Sequence, residues 1–259
     1  LQIDEPTISM TFQVNKSPFA GHEGKYLTSR QIRERLDQEL KHNVALRVEN
    51  TVDPDKFRVS GRGELHLSVL IETMRREQYE LAVSRPEVIE REINGKIYEP
   101  WEQLTVDFGE DYQGAVMSRL AERKGELVSM FPDGRGRVRL DYRIPARGLI
   151  GFRTEYLTAT AGTGLLDHVF DRYDHQAPGE IGQRKNGVMV SVVNGKALAY
   201  SLFNLQERGN LLIGHGEAVY EGMIVGVNKR NNDLPVNPTK GKQLTNIRAA
   251  GSDENIVLT

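Results

Sequence analysis

One series of secondary-structure patterns occurs twice along this chain. Apolar and polar side chains alternate over residues 7–14, which predicts a half-buried strand. Thr28 and Gln31 then form the capping box of a first helix, and two strands, a helix from Glu64 and a final strand complete the series. The order βαββαβ is typical of a ferredoxin-like unit.

The second series follows a short connection near residues 94–99. Its strands are predicted near residues 104–108, 127–130, 138–142 and 165–173. Its helices are predicted near residues 112–120 and 147–157, which gives the same order of elements. From about residue 179 glycine is frequent, and alternation predicts mostly strands. The sequence therefore predicts an α+β protein with ferredoxin-like domains at residues 1–93 and 94–178 and a β-rich, truncated domain at residues 179–259.

Composition excludes several classes of site. The 259 residues include no cysteine, so disulfides, thiolate zinc sites and cysteine nucleophiles are excluded. No GxxxxGK[ST] motif for binding nucleotide phosphates is present, and we predict no catalytic residue and no cofactor in this chain. No apolar run reaches the length of a membrane span, and both ends of the sequence suggest a piece of a longer protein.

Positive charge is concentrated in two segments, although the formal net charge is only −2. The first contains six arginines and one acid; the arginines are Arg135, Arg137, Arg139, Arg143, Arg147 and Arg153. The first four of them are predicted to form an arginine row on one face of a strand. The second is a polar loop at residues 228–243, whose cations are Lys229, Arg230, Lys240 and Lys242. Because cationic side chains bind phosphate, both segments are candidate RNA-binding sites. For the arginine segment, the alternative is a solvated sheet face with acids on the neighbouring strand. For residues 228–243, the alternative is an ordinary surface loop.

Acidic and histidine side chains cluster at residues 167–175. On a regular strand, Asp167, Asp171 and His175 would share one face, with His168 and Asp174 on the other. This division of the ligand types disfavours a metal site, and we predict none. An enzyme that uses the cluster with a divalent metal remains an alternative.

Several motifs carry a family resemblance. Residues 59–67 (VSGRGELHL) resemble the third domain of elongation factor G, and residues 144–152 (IPARGLIGF) resemble its fifth domain. Elongation factor G has a fourth domain between these two, and this chain has no room for it. Further motifs resemble the BipA (TypA) translational GTPases rather than the LepA factors; they are GTGL at 162–165, GEIGQRKNG at 179–187, GHG at 214–216 and VYEG at 219–222.

The resemblance implies the C-terminal portion of a BipA-like GTPase, without its GTP-binding and β-barrel domains. The implied role is a ribosome- and RNA-binding arm involved in large-subunit assembly and in stress and cold adaptation. Its implied partners are rRNA, ribosomal proteins and A-site tRNA, with GTP and Mg²⁺ in the missing domain. A cytoplasmic monomer without membrane contact is expected. A LepA-like arm and a protein-binding module without RNA contact are the alternatives.

Overall fold

The computed structural model describes residues 5–181, 186–241 and 258. It contains two compact units, which we call the N-terminal unit (Leu1–Gly182) and the C-terminal unit (Gln183–Thr259). The predicted boundaries of the three domains stay predictions. Among the helices of the described residues, none is both long and apolar enough to cross a membrane.

The N-terminal unit begins with an antiparallel sheet in the order β2-β3-β1-β4, with β5 paired to β1. In chain order the elements are β1 (Ile8–Gln13), α1 (Ser29–Leu40), β2 (Arg47–Asn50), β3 (Lys56–Gly61), α2 (Glu64–Arg76), β4 (Ala82–Val83) and β5 (Glu87–Val88). The capping box is present: the Thr28 hydroxyl accepts from the Gln31 N–H, and the Gln31 side chain accepts from the Thr28 N–H. Ile32 and Leu36 of α1 are buried with Phe12 in the core between helices and sheet.

A second sheet in the same unit has the order β10-β7-β9-β8, with β6 paired to β7. Its elements are β6 (Arg91–Ile93), β7 (Lys96–Gly109), α3 (Gln113–Glu122), β8 (Glu126–Pro132), β9 (Arg137–Pro145), α4 (Ala146–Leu149), α5 (Phe152–Ala159) and β10 (Leu165–His175), with a 3₁₀ turn at Glu110–Tyr112. The single helix predicted at residues 147–157 is wrong. Two helices form because the chain breaks at Ile150 and Gly151, and Gly151 has a φ of +72°, a value that glycine adopts readily.

Each of these two sheets has its own apolar core. Phe108, Leu120 and Tyr156 are fully buried in the second core. The single hydrogen of the Tyr156 hydroxyl has two carbonyl acceptors within reach, that of Leu165 at 2.9 Å and that of Asp107 at 3.1 Å. Both sheets place the first and third strands of their series at the centre, as the ferredoxin-like arrangement requires. The predicted α+β class with two ferredoxin-like units is confirmed.

The C-terminal unit is mostly β. In chain order it contains β11 (Val188–Ser191), β12 (Gly195–Lys196), α6 (Ala199–Gln206), β13 (Gly209–Leu211), β14 (Ala218–Val219), β15 (Ile224–Asn228) and β16 (Leu234–Val236). Four strands form a sheet in the order β13-β15-β11-β16, while β12 pairs with β14. The core contains Met189 of β11, Leu202 of α6 and Val225 of β15.

Candidate nucleic-acid interface

The predicted polar loop at residues 228–243 is not a single loop. Leu234–Val236 forms β16, which pairs in parallel with β11 of the C-terminal unit. Lys229 and Arg230 therefore precede this strand, whereas Lys240 follows it. Lys242 lies outside the described residues. The alternation of apolar and polar residues could not reveal β16, because the strand has only three residues and one of them is proline.

The turn between β15 and β16 is fixed by its own hydrogen bonds. The Asn228 side chain is buried; its amide nitrogen donates to the Asn232 carbonyl at 2.7 Å, and its oxygen accepts from the Arg230 N–H at 3.2 Å. The Gly187 N–H donates to the Arg230 carbonyl at 2.6 Å, which ties the turn to the residue that precedes β11. The backbone that carries Lys229 and Arg230 is thus held in one conformation.

A third cation joins this turn from a distant part of the sequence. Antiparallel pairing of Gly209 with Asn228 places Arg208 beside Lys229, and the Lys229 N–H donates to the Arg208 carbonyl at 2.9 Å. The Lys229 ammonium donates to the Glu207 carbonyl at 3.0 Å, at the C-terminal end of α6, where the helix dipole favours a cation. Sequence reasoning missed Arg208, because its position depends on a strand pairing that no local pattern indicates.

These residues line a cleft of about 530 Å³, which we call the basic cleft. Its lining residues are Glu207, Arg208, Asn228, Lys229, Arg230, Asn232 and Leu234. Within residues 5–181 and 186–241, no ion pair joins Arg208, Lys229 or Arg230 to a carboxylate. The basic cleft therefore presents cationic groups whose charge is available to an anionic ligand.

The arginines of β9 have a different environment, since each one faces an acid. Arg137 Nε donates to Asp107 Oδ1 at 2.7 Å, and Arg139 Nε lies 3.2 Å from Asp141 Oδ1. Arg143 donates to Asp174 and also stacks over the Trp101 ring, 4.5 Å from its centroid. Of these acids, Asp107 lies on the neighbouring strand β7, Asp141 on β9 itself and Asp174 on β10 of the same sheet.

The remaining predicted arginines divide into structural and exposed positions. Arg135 lies in the turn before β9 rather than on the strand, which corrects its placement in the arginine row, and Arg153 is exposed on α5. Arg147 Nε donates to the fully buried Glu99 carboxylate at 2.6 Å, and its other nitrogens bind the carbonyls of Ala177 and Gly179. Arg147 thus holds the chain after β10 in place. RNA contact by the arginines from Arg135 to Arg153 stays a prediction.

The acid and histidine residues of β10 pair with other side chains of the N-terminal unit. A β-bulge between Phe170 and Arg172 reverses the alternation of the strand. Asp171 and Asp174 consequently both approach Arg143, so the predicted placement of these two acids on opposite faces is wrong. Within the described part of the chain, no group of three or more acid and histidine side chains is arranged to hold a metal ion.

His168 forms a 2.5 Å contact through Nδ1 with the buried Glu102 carboxylate. This hydrogen bond, together with the charges of Glu102 and Asp167, raises the pKa of His168 above its ordinary value, against the lowering effects of burial and Arg153. When folding raises the pKa of a histidine, the protonated side chain stabilises the folded state. This stabilisation is fully present when the pH is below the pKa of the histidine in the unfolded chain, which is about 6.5. That stabilisation is lost as the pH rises through the folded pKa.

We therefore expect the stability difference between the native chain and His168→Gln to be larger at pH 6 than at pH 8.5. Urea unfolding at the two pH values, followed by the fluorescence of Trp101, the chain's single tryptophan, measures this difference. The matched control is His42→Gln, which changes an exposed histidine and should show no such trend. Equal differences for His168→Gln at the two pH values would contradict the role of the protonated pair.

Two family descriptions match the chain. "Elongation factor G C-terminus" matches residues 96–184, and "TypA/BipA C-terminal domain" matches residues 186–259. The first match contains the second ferredoxin-like sheet, so this part of the chain is of the elongation factor G C-terminal class. The second match covers the unit that contains the basic cleft.

Curated relatives agree with these matches. Three of them carry the name "Large ribosomal subunit assembly factor BipA". The Escherichia coli K12 protein is 64% identical to this chain over 258 residues, the Haemophilus influenzae protein is 65% identical over 259 residues, and the Buchnera aphidicola protein is 60% identical over 259 residues. Each alignment covers 100% of this chain but only 42%, 42% and 43% of these relatives, respectively. The chain belongs to the TypA/BipA family.

A solved structure from Thermus thermophilus is a more distant match. It has a TM-score of 0.44 and 14% sequence identity, and the alignment covers 69% of this chain and 42% of that one. This likeness is too weak for a functional comparison.

Proposed function

We propose that this chain is a ribosome-binding region of a BipA-family assembly factor for the large ribosomal subunit. The curated relatives carry that function in their name and are at least 60% identical to the chain. In the whole protein we place GTP hydrolysis, with GTP and Mg²⁺, in a domain outside this chain. We also propose that the whole protein contacts A-site tRNA, is cytoplasmic and monomeric, and acts in stress and cold adaptation.

The observation that carries the proposal is the contrast between the two groups of cations. Arg137, Arg139 and Arg143 lie against carboxylates, whereas Arg208 and Arg230 of the basic cleft have no ion pair among the described residues. An arginine without an acid partner can donate two parallel hydrogen bonds to a phosphate without first breaking an ion pair. The basic cleft is therefore the better supported RNA-binding surface.

The test is co-sedimentation of the chain with large ribosomal subunits over a series of salt concentrations. Each phosphate contact releases counterions, so its loss flattens the slope of log affinity against log salt by about 0.7 to 0.9. We expect the double variant Arg208→Ala, Arg230→Ala to bind more weakly than the native chain and to flatten the slope by about 1.4 to 1.8.

The matched control is Arg139→Ala, which removes one positive charge that is already paired with Asp141. This variant should retain nearly the native affinity and slope. If Arg139→Ala weakens binding as much as Arg230→Ala does, the β9 arginines also contact RNA. If the native chain does not sediment with the subunits at any salt concentration, the proposed function is wrong.

A further inference from the structure

An acid shares the basic cleft with the three cations without pairing with any of them. Glu207 is exposed at the end of α6 and lines the basic cleft with Arg208, Lys229 and Arg230. No ion pair of the Glu207 carboxylate occurs within residues 5–181 and 186–241, whereas several acids of the N-terminal unit form ion pairs with arginines. The Glu207 oxygens are thus open to a ligand that offers hydrogen-bond donors.

A ligand for the basic cleft must combine an anionic group with hydrogen-bond donors. A nucleotide meets both requirements, because its phosphate suits Arg208 and Arg230 and its base carries N–H groups. We propose, on the basis of the proposed function, that the basic cleft binds one unpaired guanine nucleotide of RNA. In this arrangement Glu207 recognises the base and the arginines bind the adjoining phosphate.

The size and rigidity of the basic cleft fit a single nucleotide. Its volume of about 530 Å³ lies within the range of 300 to 1,000 Å³ that is usual for small-ligand sites. Leu234, which is partly buried against the core of the C-terminal unit, supplies an apolar wall for the face of a base. The bonds of Asn228 and Lys229 fix the walls before binding, which lowers the entropic cost of association.

The choice of guanine follows from the hydrogen-bonding edges of the four bases. An ionised carboxylate only accepts hydrogen bonds. Guanine presents two adjacent donors, N1–H and the N2 amino group, to the two oxygens of such a carboxylate. Adenine and cytosine place an acceptor nitrogen beside their amino group, and uracil places its one N–H between two carbonyls. An unpaired base is required, because pairing in a duplex occupies this edge.

Binding of labelled RNA octamers to the chain, measured by fluorescence anisotropy, tests the inference. The octamers are oligouridine strands with guanine, adenine, cytosine or uracil at one central position. We expect the guanine octamer to bind about tenfold more tightly than the others, the usual size of a bidentate contact to a base. Free guanosine monophosphate, used as a competitor, distinguishes a nucleotide of RNA from a soluble nucleotide.

Two variants separate recognition of the base from binding of the phosphate. Glu207→Gln should remove the guanine preference and raise the affinity for plain oligouridine, because a negative charge is lost from the basic cleft. Arg230→Ala should weaken binding of all four octamers alike and retain the preference. The matched control is Glu221→Gln, which changes an exposed acid of the same unit outside the basic cleft and should alter neither quantity.

The outcomes distinguish this inference from the proposed function. Equal binding of the four octamers, or no octamer binding by a chain that still sediments with large subunits, would overturn the guanine site alone. Guanosine monophosphate that binds as tightly as the guanine octamer would overturn RNA as the source of the nucleotide. Loss of both octamer binding and sedimentation would overturn the proposed function as well.

Discussion

Arg147→Ala should lower the free energy of unfolding of the N-terminal unit by about 3 to 5 kcal/mol, the usual cost of removing one partner of a buried ion pair. The Glu99 carboxylate is fully buried, and it accepts from Arg147 Nε at 2.6 Å and from the Ala177 N–H at 2.7 Å. Without the guanidinium, a buried negative charge remains unpaired, and the carbonyls of Ala177 and Gly179 lose their donor.

Urea unfolding followed by Trp101 fluorescence measures this loss, because Trp101 is buried in the same unit and donates to the His175 carbonyl at 3.2 Å. The matched control is Arg153→Ala, which removes an exposed arginine and should change stability by less than about 0.5 kcal/mol. Adding Glu99→Gln to Arg147→Ala should recover part of the loss, since the buried charge is then removed. Equal stabilities of Arg147→Ala and Arg153→Ala would show that the pair contributes nothing.

Gly209→Ala should destabilise the C-terminal unit by about 3 kcal/mol, at the upper end of the usual cost of overpacking. A Cβ atom at this position would lie 1.9 Å from the Val227 carbonyl oxygen and 2.7 Å from Met189 Cε. The backbone oxygen belongs to β15, so β13 would have to move away from its partner strand. The same movement would separate Arg208 from Lys229 and distort the basic cleft.

Differential scanning calorimetry of the chain measures the effect of Gly209→Ala. The matched control is Gly241→Ala, because its Cβ would lie at an ordinary distance of 3.6 Å from a Leu198 methyl carbon. We expect Gly241→Ala to melt close to the native temperature and Gly209→Ala to melt several degrees lower. Identical melting of the two variants would mean that β13 and β15 accommodate the added methyl group.

The regular elements of the N-terminal unit could be predicted from the sequence because their signals are local. Thr28 and Gln31 are three residues apart, and their capping bonds form within one helical turn. Ile32 and Leu36 recur at helical spacing and are buried as that spacing predicts. The break at Gly151 and the bulge near Asp171 were not predictable in this way, because each depends on how the chain fits its neighbours.

The candidate site was only partly predictable. Lys229 and Arg230 stand out in the sequence as adjacent cations, whereas Arg208 is 21 positions before Lys229 and follows a helix that carries no basic cluster. The arginines of β9 gave the stronger charge signal, yet other strands of the same sheet supply the carboxylates that pair with them, Asp107 from β7 and Asp174 from β10. Charge along the chain therefore did not reveal which cations remain unpaired.

The sequence by itself determined the order of the elements, the class of the fold and the family resemblance. These features depend on periodicity, caps and contiguous motifs, all of which lie within short stretches of chain. Only the tertiary structure decided that Arg147 is a buried partner of Glu99 and that Glu207, Arg208 and Arg230 line one cleft. Ion pairs and clefts form between residues brought together by strand pairing, and their energies depend on burial and on neighbours that are distant in sequence.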